Sequence, residues 1–202
     1  MLQHLRPALV LLALFTLLTG LAYPFALLGI AAALPDPANG SLVKNADGLV
    51  VGSSLIGQNF TKDIYFHSRP SATSATDPND ATKTIDAPYN ADNSSGSNLG
   101  PTSAKLIDRV KADIETLRKD DGLAGPVPAD AVTTSGSGLD PDISPAYAKA
   151  QVARVAKARN LTEAQVAALV EANISGRLLG ILGEPRVNVL ALNLALDGSS
   201  AK

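Results

Sequence analysis

Side chains able to take or pass a proton near neutral pH are scarce in this sequence: its two histidines are His4 and His67. Cysteine is absent, which removes disulfides, thiolate metal sites and cysteine nucleophiles together. Two histidines without cysteine leave zinc or haem short of their usual ligands. A Ser–His–Asp triad would have to use His67, because His4 lies on the other side of a long apolar segment. No G-x-S-x-G marks a hydrolase elbow and no Walker A sequence marks a P-loop. A net charge of −2 offers no basic surface to nucleic acid.

The residues that remain suit contact better than catalysis. His67 sits in Tyr65-Phe66-His67-Ser68-Arg69-Pro70. Aromatic rings beside an arginine are the composition of buried interface anchors, which makes Phe66 and Arg69 candidates for partner binding. The alternative is a structural loop with Arg69 paired to a carboxylate. A second pattern is an echo: Ser95-Gly96-Ser97-Asn98-Leu99-Gly100-Pro101 returns as Ser135-Gly136-Ser137-Gly138-Leu139-Asp140-Pro141. Such turns, centred on Ser97 and Ser137, can aim backbone amides at an anion or a partner. They can equally serve as helix-entry loops whose serines satisfy orphan amides. Lys149, Arg154, Lys157 and Arg159 follow one another without an intervening acid. They read as a solvated helix with its dipole compensated, or as a surface for anionic lipid. Residues 71–100 carry four aspartates against Lys83. That balance keeps a loop solvated, or raises the cation concentration near a pore mouth.

Elements must place these residues. From Pro7 to Leu34 there is no charged side chain. A helix of that length spans roughly 40 Å against roughly 30 Å of hydrocarbon, enough for a transmembrane anchor over 1–34. A cleaved signal peptide is the competing reading, but its apolar core usually runs about 7–15 residues. Gly20, with Thr16 and Thr19, sits at spacings that suit close helix packing in lipid, so the anchor is expected to dock against other helices. Arg6 precedes the span and the next cation is Lys44, which keeps the N-terminus in the cytoplasm and sends 35–202 outside. Beyond the span, Asp47-Gly48 between short apolar runs predicts a hairpin, and Ile64-Tyr65-Phe66 a further strand. Residues 71–100 predict a long polar loop. Pro101, Pro145 and the Thr162/Gln165 capping box open three helices. Leu106, Val110, Ile114 and Leu117 form the stripe of the first, and the second runs to about Arg159. Val187–Leu196 reads as a buried terminal strand, with a helix as the alternative. The class is α+β: one transmembrane helix followed by one extracytoplasmic mixed α/β domain with long polar loops.

In order along the chain stand Thr19-Gly20-Leu21-Ala22-Tyr23-Pro24, Ala38-Asn39-Gly40-Ser41-Leu42, and Gly52 to Phe60. Then come Tyr65 to Thr73, the two Ser-Gly-Ser turns, Gln151 to Arg159, and Gly183 to Leu190. As a set they resemble the C subunit of the bacterial Kdp potassium-transporting ATPase, from the anchor to Leu196. Asp142 stands where the family pattern suggests histidine. The resemblance implies an inner-membrane complex that pairs a potassium-channel-like subunit with a P-type ATPase subunit. It implies an accessory role, needed for assembly and acting as a catalytic chaperone that raises the ATP affinity of the pumping subunit. Ser54-Leu55-Ile56-Gly57-Gln58 resembles the transporter signature loop that contacts nucleotide, which makes Gln58 the candidate nucleotide contact. No cofactor is expected to bind tightly, and ATP would enter through the partner subunit. The topology places this domain outside while ATP is cytoplasmic, so an allosteric route is the alternative to direct contact. The competing class is an anchored exported enzyme or cell-wall-binding module.

Overall fold

The computed structural model describes residues 2–45, 47–123 and 125–200. The chain divides into two compact units between Leu42 and Val43.

The first unit is mainly an apolar helix, Leu5–Ala33, with a mean hydropathy of 2.1 over an 18-residue stretch and no buried residue. It runs as α1 Leu5–Leu17, a π turn Leu18–Ala22, and α2 Tyr23–Ala33. The π turn has a local cause. Pro24 has no N–H, and its ring would strike the carbonyl of residue 20 in a regular α-helix. Widening the turn relieves that clash, and the Thr19 hydroxyl donates to the Phe15 carbonyl at 2.7 Å. The helix stops at Leu34, which the adjoining Pro35 drives out of the helical region, to φ −126° and ψ 67°. Next comes a single helical turn, α3 Pro35–Ala38.

The second unit is mixed α and β, as the pattern of elements predicts. The expected hairpin is present as β1 Leu42–Lys44 and β2 Val50–Ser53, with the Asn45 carboxamide oxygen accepting from the amides of Asp47 and Leu49. Residues 71–100 are not wholly loop. They contain β3 Ser74–Asp77 and β4 Asp80–Asp86, paired antiparallel with a bulge at Thr76/Asp77. Polar residues occupy both faces of this hairpin, so no alternation announces it. Helix α4 Ala104–Asp120 begins three residues after Pro101 and turns Val110, Ile114 and Leu117 onto the core. The next strand is β5 Asp142–Ile143. The expected helix over 145–159 is two pieces, α5 Pro145–Ala150 and α6 Val152–Arg159, broken at Gln151. Ser144 caps α5 by accepting from the Tyr147 amide at 3.0 Å, and Asp130 holds Ser144 in turn. The capping box at Thr162 and Gln165 opens α7 Glu163–Ala172.

The C-terminal stretch corrects the strand reading. After β6 Ile174–Ser175, β7 covers Arg186–Asn188 alone, and α8 Val189–Ser200 takes the rest. Asn188 makes the switch: its carboxamide oxygen accepts from the Ala191 amide at 3.0 Å. Val189, Leu192, Asn193 and Leu196 are all buried, the spacing of a helix face. β7 lies at the centre of a three-stranded antiparallel sheet, order β5-β7-β6, with Val187 fully buried between Ile143 and Ile174.

The segment predicted as a strand at 64–66 is not a strand: residues 62–65 form a turn, closed by the Tyr65 amide donating to the Lys62 carbonyl at 3.0 Å. Side chains satisfy the backbone groups around it. Arg154 donates to the carbonyls of Asp63 and Tyr65 at 2.7 and 3.0 Å, and Arg159 to Ile64 at 2.7 Å. Asn193 pairs with both the N–H and the C=O of Phe66, and Gln151 does the same for His67. Arg154 also binds Asp121 and the Gln151 carboxamide, with both partners of the ion pair almost fully enclosed. Arg159 pairs with Asp197 and lies over the Tyr65 ring. Arg154 and Arg159 are therefore structural, which corrects their reading as part of a solvated or lipid-facing helix surface.

Removing one member of a buried, multiply bonded ion pair leaves the other charged and unsatisfied, a cost of about 3–5 kcal/mol. Arg154→Ala should lower the unfolding free energy of the domain by about that amount in urea titration, while Lys157→Ala, exposed on the same helix, should change it by under about 0.5 kcal/mol.

Candidate functional site

Four loops meet around one ion pair. Arg69 donates to Asp140 at 2.7 Å and turns its other terminal nitrogen toward the carbonyls of Thr133 and Thr134. The Arg69 carbonyl accepts from the Tyr89 hydroxyl at 2.8 Å, and burial pushes that phenol up to about 12. The Gly57 amide donates to the Leu139 carbonyl at 2.8 Å. Ser71 ties the centre together: its hydroxyl donates to the Gly138 carbonyl at 2.7 Å and accepts from the Tyr89 amide at 3.0 Å. Thr73, buried, bonds the Ala87 carbonyl at 2.6 Å.

The two Ser-Gly-Ser turns bind each other. The Ser95 amide and the Ser94 hydroxyl both donate to the Ser137 carbonyl at 3.0 Å. A Cβ at Gly96 would lie 2.9 Å from the Gly136 carbonyl oxygen. Gly138 has φ +67°, and a Cβ there would lie 2.6 Å from the Ser95 carbonyl oxygen. Glycine is required at Gly138 both for its backbone angle and for the space. The echo in the sequence is thus a pair of interlocked turns.

Two clefts flank this knot. One, of about 780 Å³, is lined by His67, Arg69, Tyr89, Ser97, Lys105 and Arg109. The other, of about 560 Å³, is lined by Leu55, Ile56, Arg69, Ser137 and Asp140. Arg69 borders both. Arg109 is held by Asp113 at 2.7 Å and by the Val132 carbonyl. Burial raises the Asp113 carboxyl above its ordinary range, opposed by Arg109. Burial, aided by Arg154, holds the His67 imidazole below its ordinary value. Its Nε2 sits 3.2 Å from the Lys62 carbonyl oxygen, and the neighbouring Ser68 hydroxyl donates to the Gln58 carbonyl. Ser68 and His67 are thus both engaged with backbone carbonyls, a structural arrangement.

The candidates from the sequence separate clearly. Arg69, Ser97 and Ser137 come together at the knot. Phe66 does not present its ring to a partner: it is fully buried in the core beside Asn193, which corrects its reading as a surface anchor. Its aromatic neighbours misled, because the same ring chemistry serves cores and interfaces. Gln58 donates its amide nitrogen to the Val51 carbonyl at 2.7 Å. Gly20 lies in the π turn, and a Cβ there would meet nothing among the described residues within 4 Å. Asp142 pairs with Arg186 at 2.9 Å, and burial raises its carboxyl. Sequence reasoning missed Tyr89, Gln151 and Asn193. The last two carried a signal, since each is a carboxamide within an apolar helical stripe.

The segments in this knot are among those that carry the resemblance, and the similarity extends over the whole chain. Residues 5–198 match the family described as K+-transporting ATPase, c chain. The chain belongs to the KdpC family. It is 66% identical to the potassium-transporting ATPase KdpC subunit of Methylobacterium nodulans over the full length of both chains. It is 63% identical to that of Bradyrhizobium diazoefficiens, again over both full lengths. Identity is also 63% to the subunit of Methylorubrum extorquens over 97% of each chain. Within this KdpC chain the family motifs at 52–60, 65–73, 95–101 and 135–141 serve first to hold one another.

His67 gives the knot a pH signature. Its folded-state pKa lies below the unfolded value of 6.5. The unfolded chain therefore binds the proton more readily, and stability is lost as pH falls below about 6.5. The thermal midpoint should drop between about pH 7.5 and about pH 5.5, and His67→Gln should flatten that dependence.

Proposed function

We propose that this chain is an accessory subunit of an ATP-driven potassium uptake complex, without turnover of its own. In this reading the apolar helix crosses the inner membrane with its N-terminus in the cytoplasm, and the α+β domain stands outside. It assembles with a potassium-channel-like subunit and a P-type ATPase subunit, and it raises the latter's affinity for ATP.

The observation that carries the reading is the family match over residues 5–198. The geometry adds support. Side chains at the knot are committed to backbone groups and to one another, which suits a rigid binding scaffold. The amide of Gln58 is engaged with Val51, so an influence on ATP is better carried by biasing a two-state partner than by direct contact. Nothing among the described residues crowds Gly20, and φ there lies outside the positive range; a neighbouring helix packed closely in the bilayer would call for glycine.

Two measurements test this. A phosphatase active only outside the cytoplasm, fused after Lys202, should be active, and an inactive fusion would reverse the topology. In the purified complex, omitting this chain should raise KM for ATP about tenfold or more in potassium-stimulated hydrolysis, and adding it back should restore the affinity. An unchanged KM would leave the chain an assembly role alone.

A further inference from the structure

Between β6 and β7 the chain runs Arg177-Leu178-Leu179-Gly180-Ile181-Leu182-Gly183-Glu184. Leu179 and Ile181 are 83% and 76% exposed, and no other large apolar side chain among the described residues is as open. Leu178 and Leu182 are 64% and 61% exposed beside them. A contiguous apolar patch on a soluble domain marks an interaction site.

The loop is built rather than slack. Leu178 and Leu182 exchange backbone bonds at 2.9 and 3.0 Å, and the amides of Gly180 and Ile181 donate to the carbonyls of Arg177 and Leu178. Arg177 closes the base against Glu184 at 2.7 Å. Leu179 holds φ +54°, a left-handed conformation that costs a side-chain-bearing residue free energy. Four aliphatic side chains are thereby fixed outward, ordered before any partner arrives, which lowers the entropy lost on docking.

Charge decides among the occupants. A loop that enters an anionic bilayer binds more strongly with free cations at its rim. Here Arg177 is paired with Glu184, and Arg186 with Asp142, so the rim is neutral. A second copy of this chain offers, as the larger of its two clefts, one whose lining mixes apolar residues with Arg69, Lys105, Arg109 and Asp113, charges that seated aliphatic side chains would strip of water. An apolar groove in a different protein fits a neutral, preorganised knob.

We propose that residues 178–182 form a docking knob that inserts into an apolar groove on the extramembrane face of another subunit of the potassium-transporting assembly. This rests on the accessory-subunit reading above. The lack of cysteine makes the test direct. Full-length Ile181→Cys is labelled with a maleimide in three settings: in the assembled complex, alone in detergent, and alone in vesicles of phosphatidylethanolamine with phosphatidylglycerol. Labelling should slow by about tenfold or more in the complex and stay fast in both other settings. The double variant Leu179→Ser/Ile181→Ser should keep its circular dichroism and melting temperature yet dissociate from the complex about tenfold faster in detergent. Slow labelling in vesicles without the other subunits would assign the loop to lipid and overturn the proposal. A disulfide-linked dimer that excludes the other subunits would assign it to a second copy and overturn it likewise. Fast labelling within an assembled complex would overturn the docking knob alone. Failure of the unmodified chain to co-purify would overturn the accessory-subunit reading and the knob with it.

Discussion

The turn and irregular chain of residues 63–67 lie in no strand, and buried side chains from two helices supply the hydrogen bonds that most of their backbone groups require. Every backbone polar group buried away from water must find a partner. Here Arg154 and Arg159 on α6, Gln151 at the break before it, and Asn193 on α8 provide those partners. The arrangement dictates the rest. Gln151 can reach the His67 backbone because the helix is broken at that residue. Asn193 replaces an apolar residue in the stripe of α8 because Phe66 presents its own N–H and C=O there. Arg154 can be buried because three acceptors and a carboxylate surround it.

Holding this segment also places residues 69–73. Once residues 63–67 are pinned, Arg69 stands opposite Asp140, and Ser71 and Thr73 reach Gly138 and Ala87. Loops of this length ordinarily move. These are cross-tied through side chains, glycine contacts and the pairing of the two Ser-Gly-Ser turns. A knot of that kind holds the surface around it in one shape.

The apolar helix is long and apolar enough to cross a membrane. In hydrocarbon every backbone group must be satisfied within the helix or by a side chain on it. Pro24 breaks that rule locally, just after the π turn Leu18–Ala22, in which the Thr19 hydroxyl bonds the Phe15 carbonyl.

Composition and periodicity alone determined a good deal. The uncharged run from Pro7 to Leu34, the stripe of α4, the cap of α5 and the capping box of α7 are all local, because each depends on residues within one or two turns of one another. The family was legible for a related reason, since the order of motifs is a property of the chain rather than of its contacts. The features that the sequence left undecided are non-local. Polar faces hid the hairpin at 74–86, because alternation appears only where one face is buried. The stretch 187–196 is apolar enough for either element, and the switch at Asn188 depends on a carboxamide turned back onto Ala191. Phe66 and Arg69 are three residues apart, yet one lies in the core and the other at the boundary of two clefts. Only the tertiary structure decided that, because it depends on Asn193 and Asp140, which lie more than seventy residues away along the chain.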